Sequence, residues 1–408
     1  MSNIDRASIF RAFNNRNYSL FYFGQLVARI GIWMQRTAVI WVLYSTTQST
    51  MMVGLATFAE QFPSFIFSPL GGIVADRFDR YQVLVVTQIV AATQAVSLTA
   101  FYFGHYQQVW LILSLSVLLG IANAFDVPAR QAMVNDLVED TSDLSNAIAM
   151  NASSNNLARL IGPALSGIVL ANFGAGICFA ATAIGFMFVL ASVFMIKVRK
   201  NITPRKPDTL VKDLKDGFLY AKNNREIAYT LMLLASVCAL IVSYNTLIPT
   251  YAQDIFKGDA SVFGYINACV GVGAITGTFY MASLKSGANL KKILFGSLLI
   301  LGVTLMLFAY TTHLLFGLVL SAVCGFGTML IVPVCNTIVQ TVSVPEMRGR
   351  VISLFAMAAF GTLPLGSLLV GWVSKFIGPE NTIFIQGIFA ILLAALFSRF
   401  LLKKSKNR

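Results

Sequence analysis

Twelve stretches of about twenty mainly apolar residues follow one another along this chain, and that repetition leaves few folds open. They lie near 18–44, 51–75, 83–103, 109–132, 144–171 and 176–196, then near 227–252, 261–283, 292–311, 314–342, 351–375 and 381–402. A helix rises about 1.5 Å per residue, so each stretch is long enough to cross the hydrocarbon core of a bilayer. Membrane strands would alternate apolar and polar side chains; runs such as Leu111–Leu119 (LILSLSVLL) do not. Nor is there material for a watery surface. Of 408 residues 57% are hydrophobic and 12% charged, against about 25% charged in soluble domains. The sequence therefore predicts an all-α membrane protein with twelve transmembrane helices. The residues before the first span are polar and charged, and that span is too long for a signal-peptide core, so no cleavage is expected.

Charge sets the orientation. With the amino terminus inside, 24 of the 30 Lys and Arg residues fall in cytoplasmic segments, and only Lys257 and Lys375 fall outside. That asymmetry puts both termini in the cytoplasm. It also accounts for the net charge of +13 without nucleic acid, since no basic patch with interleaved aromatics is present. The five cysteines sit in apolar stretches with no C-x-x-C, which reads as small buried hydrophobes rather than disulfides or a zinc site. Two histidines, His105 and His313, are too few for a His-based metal site, so no metal and no cofactor are expected. Gly271-Val-Gly273-Ala-Ile-Thr-Gly277 has nucleotide-loop spacing but lies inside a span with no strand before it, so close helix packing is expected there. No Walker lysine or G-x-S-x-G elbow appears, and the chain does not read as an enzyme.

The chain also repeats itself. Asn14-Asn15-Arg16 recurs as Asn223-Asn224-Arg225, and Gly162, Gly167 and Gly174 recur as Gly366, Gly371 and Gly378. His105 and His313 fall in corresponding outside loops. Two pseudo-symmetric six-helix bundles are expected, 1–196 and 226–408, joined by a cytoplasmic linker at 197–225. Transporters built from such repeats bind substrate near the midplane, between the halves. Within the linker, Leu210, Val211, Leu214 and Phe218 fall opposite Lys212, Lys215 and Lys222 at helical spacing. This predicts an amphipathic helix lying on anionic inner-leaflet lipid, with a solvated connector as the alternative.

Charges inside the membrane are expensive and mark function. Only Glu60 and Asp126 among the acids lie within spans, and Asp76 sits just past one. Arg36 and Glu60 fall at matching depth on adjacent antiparallel spans, roughly 12–14 Å below the outer surface. A carboxylate that exchanges an arginine for a proton there would couple transport to protons; the alternative is a permanent ion pair. Asp126 and Arg130 lie one turn apart near the inner end of the fourth span, in the place of a gate. Arg29 and Arg159 are nearer mid-depth with no acid at their level. Gln25, Asn151 and Asn155 accompany them, and Tyr244, Asn245, Asn336 and Gln340 come from the second half. Surplus arginine in a cavity suits an anionic or acceptor-rich substrate; arginines that merely tie helices together are the alternative.

The loop Gly72-Ile-Val-Ala-Asp76-Arg77-Phe-Asp79-Arg80 resembles the G-x-L-a-D-R-x-G-R signature of the major facilitator superfamily. Asp79 stands where glycine is usual, as in a subgroup of drug and siderophore exporters. Asp126-Val-Pro128-Ala-Arg130-Gln131 and Arg348-Gly349-Arg350 resemble the same subgroup, which includes enterobactin-type siderophore exporters and macrolide efflux pumps. The resemblance implies the major facilitator fold, a bacterial inner membrane location and a monomer. It implies a gate in which Asp76 caps the amino end of the eleventh span, beside Arg348 and Arg350, and Arg80 reaches Asp126. In the fifth span, Ala149, Ala158, Gly162, Pro163, Ser166 and Gly167 resemble the antiporter pattern of exporters, with Ala or Ser at three of its glycines. The expected function is proton-coupled export of a small amphiphilic or anionic metabolite such as a siderophore or drug. The expected partners are that substrate, protons and membrane lipids. Import of an iron–siderophore or nutrient acid, or lipid flipping, is the alternative.

Overall fold

A computed structural model describes residues 11–106, 108–138, 141–196, 210–284 and 289–402. The apolar runs are helices, and the described residues contain no strand. The first six are α1 (Arg16–Thr47), α2 (Thr50–Arg77), α3 (Arg80–Phe103), α4 (Val109–Leu137), α5 (Thr141–Phe173) and α6 (Ala175–Met195). After α7 (Leu210–Asn223) come α8, which runs from Arg225 to Ile255 with a break, then α9 (Ala260–Ser283), α10 (Leu290–Ala309) and α11 (Leu314–Val342). α12 runs from Pro345 to Ile377 through a π-turn at Met357–Gly361, and α13 is Pro379–Leu396. Among the described residues eleven of these are long and apolar enough to cross a membrane. α2 has the length, 28 residues, but carries Glu60, Gln61 and two prolines through its apolar run.

Residue chemistry sets the boundaries. Asn15 Oδ1 accepts from the backbone N–H groups of Asn17 and Tyr18 at 2.9 and 3.2 Å, capping α1. Asn224 Oδ1 does the same for Glu226 and Ile227 at the start of α8. An asparagine oxygen here replaces the acceptor that the first helical turn lacks. Gly174 and Gly378 close the turns before α6 and α13 with φ of 80° and 84°, a region that costs other residues a steric penalty. Along the spans the outward side chains are apolar: Phe279, Leu315 and Leu396 are each more than 70% exposed. Such a surface is stable in lipid.

The helices form two compact units, Met1–Val39 with Pro63–Lys206, and Ile40–Phe62 with Pro207–Arg408. In the first, α3 packs on α4 and α6 over a core that includes Tyr18, Phe21, Leu84, Met133 and Phe186. α2 approaches α4 at Gly71, where an added Cβ would lie 2.0 Å from the Ala124 carbonyl oxygen. Pro128, four residues further along α4, lacks the N–H that would have bonded that oxygen. In the second unit α9 and α11 meet backbone to backbone. A Cβ on Gly273 would lie 1.7 Å from the Ala322 oxygen, and one on Gly325 would lie 2.0 Å from the Val270 oxygen. The glycine-rich run of α9 is thus a packing surface.

The tip of the α1–α2 hairpin belongs to this second unit. Thr50 Oγ1 donates to the Gly371 oxygen at 3.0 Å, Trp41 stacks on Phe263, and the Tyr44 hydroxyl donates to Asp254. α7 is also docked here. Its buried Gly217 lies against Arg350, whose Nη1 is 3.9 Å from Asp216 Oδ2, and Tyr220 Oη accepts from the Val344 N–H at 3.2 Å. Phe218 and Leu219 on α7 are exposed. The side chains of Leu210, Val211, Lys212 and Leu214 lie outside the described residues.

Candidate functional site

α4 has 29 residues, about 44 Å of helix, against a hydrocarbon core of about 30 Å. It continues to Leu137, past the end expected near 132. α3 begins at Arg80, so the inner end of this antiparallel pair brings Arg80 level with Asp136. Arg80 Nη1 donates to both Asp136 oxygens at 2.8 and 3.0 Å, and Nε reaches the Ala75 oxygen at 3.4 Å. This corrects the expected pairing with Asp126, which lies ten residues, about 15 Å, deeper along α4. Of the other signature residues, Gly72 has no neighbour within 4 Å of an added Cβ, and Arg77 is exposed. The side chain of Asp76 lies outside the described residues. Arg348 is exposed at the start of α12, and Arg350 meets α7.

Asp126 sits inside the first unit at 3% exposure. Its Oδ2 accepts from Arg130 Nη2, one turn on. Its Oδ1 accepts from Gln88 Nε2 at 2.7 Å and Thr87 Oγ1 at 3.2 Å, both on α3. Gln25 of α1 is buried beside them, and its Nε2 has no protein partner. Gln88 and Thr87 were not singled out in the sequence, although a glutamine in an otherwise apolar span is a visible signal.

Arg29 is a strut between α1 and α5. It is 5% exposed; Nη1 donates to the Asn151 oxygen at 3.0 Å and to Ser154 Oγ, and Nη2 donates to Asn151 Oδ1 at 2.6 Å. Two residues expected to face substrate, Arg29 and Asn151, thus hold each other, and Ser154 joins them unannounced by the sequence. Asn155 and Arg159, further along α5, are exposed. The antiporter-like residues pack α5 against α1 further along the same helix face. A Cβ on Gly162 would lie 2.4 Å from Trp33 Cβ, and Ser166 Oγ donates to the Met34 oxygen at 3.1 Å. Pro163 and Gly167 belong to the same stretch, Gly167 buried.

Arg36 lies with its guanidinium 4.4 Å from the centre of the Trp33 ring, and Glu60 is buried at 8% exposure. In the second unit, α8 breaks at Ile241 and passes through a 3₁₀ turn at Val242–Leu247. Pro249 removes the N–H due to the Asn245 oxygen, and Gln386 Nε2 supplies the Leu240 oxygen with a donor at 2.9 Å. Tyr244 is buried at this break and Asn245 is exposed. Broken spans in transporters mark ligand and ion sites. On α11, Gln340 Nε2 donates to Asn336 Oδ1 at 3.0 Å.

Membrane-length helices with lipid-compatible outer faces and charged groups sealed inside are the frame of a polytopic membrane protein, and the comparisons with known proteins make it a transporter of the major facilitator fold. The fold is shared with a POT family transporter solved with 5-aminolevulinic acid, at a TM-score of 0.74 and 14% identity, covering 95% of this chain and 97% of that one. The chain belongs to the transmembrane secretion effector family, matching it over residues 7–408. It is 25% identical over 398 residues to the staphyloferrin A transporter of Staphylococcus aureus, covering 92% of this chain and 94% of that protein. It is 21% identical over 377 residues to macrolide efflux protein A of Streptococcus pyogenes, covering 91% and 92%.

Proposed function

We propose that this transporter exports a small amphiphilic or anionic metabolite, a siderophore or drug-like compound, in exchange for protons. The observation that carries the direction is the full-length membership of a family described by secretion, together with a relative named for efflux. The substrate class follows from the other relative's name and from the surplus of cations in the first six helices. Arg159 and Asn155, exposed on α5, are the polar groups of this helix in that reading, while Arg29 ties α5 to α1 through Asn151 and Ser154. Gln25, Tyr244, Asn245, Asn336 and Gln340 complete the polar lining in this reading. The protein is a monomer of the bacterial inner membrane with cytoplasmic termini, as the 24 inward cations support. The bundles are 1–196 and 226–408 about the linker 197–225; the paired caps Asn15 and Asn224 and the paired turns Gly174 and Gly378 support that division.

Protonation of Glu60 from outside releases Arg36 and permits reopening inward. Asp76, Arg77, Arg80, Arg348 and Arg350 form the inner gate, with Arg80 seated on Asp136. In everted vesicles with erythromycin as the probe, Glu60→Gln is expected to abolish accumulation driven by a proton gradient. Accumulation at the wild-type level would remove Glu60 from the mechanism.

A further inference from the structure

We propose that Asp126 is a second proton site buried in this transporter, its carboxyl alternating between Arg130 and a proton. The inference rests on the proton-coupled reading above. Among the described residues Glu60 and Asp126 are the buried acids, and Asp126 is the more deeply sealed. Its two oxygens are served differently. Oδ1 accepts from two neutral donors, Gln88 Nε2 and Thr87 Oγ1, whereas Oδ2 accepts from the Arg130 guanidinium. A neutral carboxylic acid keeps one acceptor oxygen and gains one O–H. Gln88 and Thr87 satisfy Oδ1 in either form, so only the Arg130 contact must change when Oδ2 takes a proton.

The surroundings suit that exchange. A cavity of about 10 Å³, room for about one water, is lined by Gln25, Thr87, Gln88, Asn123, Asp126 and Arg130. Gln25 Nε2 and Gln88 Oε1 are buried without a protein partner, leaving hydrogen-bonding capacity beside the carboxyl. Arg130 is the cation on α4 itself. α3 contributes neutral Thr87 and Gln88, and α6 contributes Phe186. α1 contributes Gln25, with Arg29 one turn on and committed to α5. In the proton step an O–H of hydronium breaks, an O–H forms on Oδ2 and water is left; the reverse step returns the proton.

Infrared difference spectra of the whole protein in lipid nanodiscs, taken between about pH 5 and pH 9, test this directly. A protonated-carboxyl band is expected to remain in Glu60→Gln, and to be lost when Asp126→Asn is added to that variant. Asp126→Glu is expected to restore it at a displaced midpoint, and Gln88→Leu to displace the midpoint with Asp126 intact. In the Glu60→Gln background, an unchanged band on adding Asp126→Asn, or a midpoint indifferent to both Asp126→Glu and Gln88→Leu, overturns the assignment. If Asp126 titrates but wild-type vesicles accumulate erythromycin without a proton gradient, the proton-coupled reading fails, and the coupling role fails with it.

Discussion

At Gly71 and Gly72 two adjacent residues of one motif separate cleanly. Gly72 is the signature glycine, yet nothing lies within 4 Å of its absent Cβ, while Gly71 faces the Ala124 oxygen that Pro128 leaves without a helical donor. Gly71→Ala is expected to lower stability by about 1–3 kcal/mol through overpacking, whereas Gly72→Ala stays within about 0.5 kcal/mol. Thermal unfolding in detergent compares the two; equal losses would contradict the packing account. Arg80 and Asp136 form a partly exposed pair, so its rupture costs about 1 kcal/mol or less. The pair Asp126–Arg130 is sealed, and removing either partner strands a buried charge, a loss of roughly 3–5 kcal/mol. Charge types and spacing on the sequence singled out Arg80, Asp126 and Arg130 but not Asp136, which lies past the expected end of the fourth span. They did not reveal who pairs with whom, because Asp126 and Asp136 differ in depth by ten residues of one helix whose end lay beyond the apolar run.

Helix existence was legible because apolar length is a one-dimensional property; Asn15 and Asn224 were visible as a repeat, and the structure adds that both are caps. Asn15→Ala and Asn224→Ala are each expected to cost about 1 kcal/mol, read as lost amide protection in the first turns of α1 and α8. Preserved protection in both would deny their capping role. Asp259, in the loop before α9, caps that helix in the same manner, accepting from the Ser261 N–H at 2.8 Å. The Ser261 hydroxyl and N–H hold its carboxyl below the ordinary aspartate range. Its contribution to α9 is therefore full above the ordinary value near pH 4 and is lost as pH falls through the lowered one. Hydrogen exchange at the start of α9 is expected to quicken in acid, and Asp259→Asn to remove that dependence. Element interiors were harder to foresee. The break in α8 follows from Pro249, but its repair by Gln386 is a tertiary contact between distant positions.

On the scale of the molecule, composition and charge asymmetry led to the correct fold class and to a transporter, since both are sums over many residues. Individual substrate contacts are not sums. Arg29 showed the same sequence signal as Arg159, a lone arginine in an apolar span, yet one is locked to Asn151 and Ser154 and the other is exposed. A further consequence follows from the shared hairpin. Because the border between the compact units cuts α1 between Val39 and Ile40 and α2 between Phe62 and Pro63, the units are joined by two continuous rods as well as by the linker. In α2 the crease is ready-made, since Pro63 sits at the border and withholds the backbone bond that would stiffen it. The proline that interrupts the backbone ladder of α2 thus lies within one turn of the buried Glu60, so a backbone weak point and a buried carboxylate share one stretch of helix.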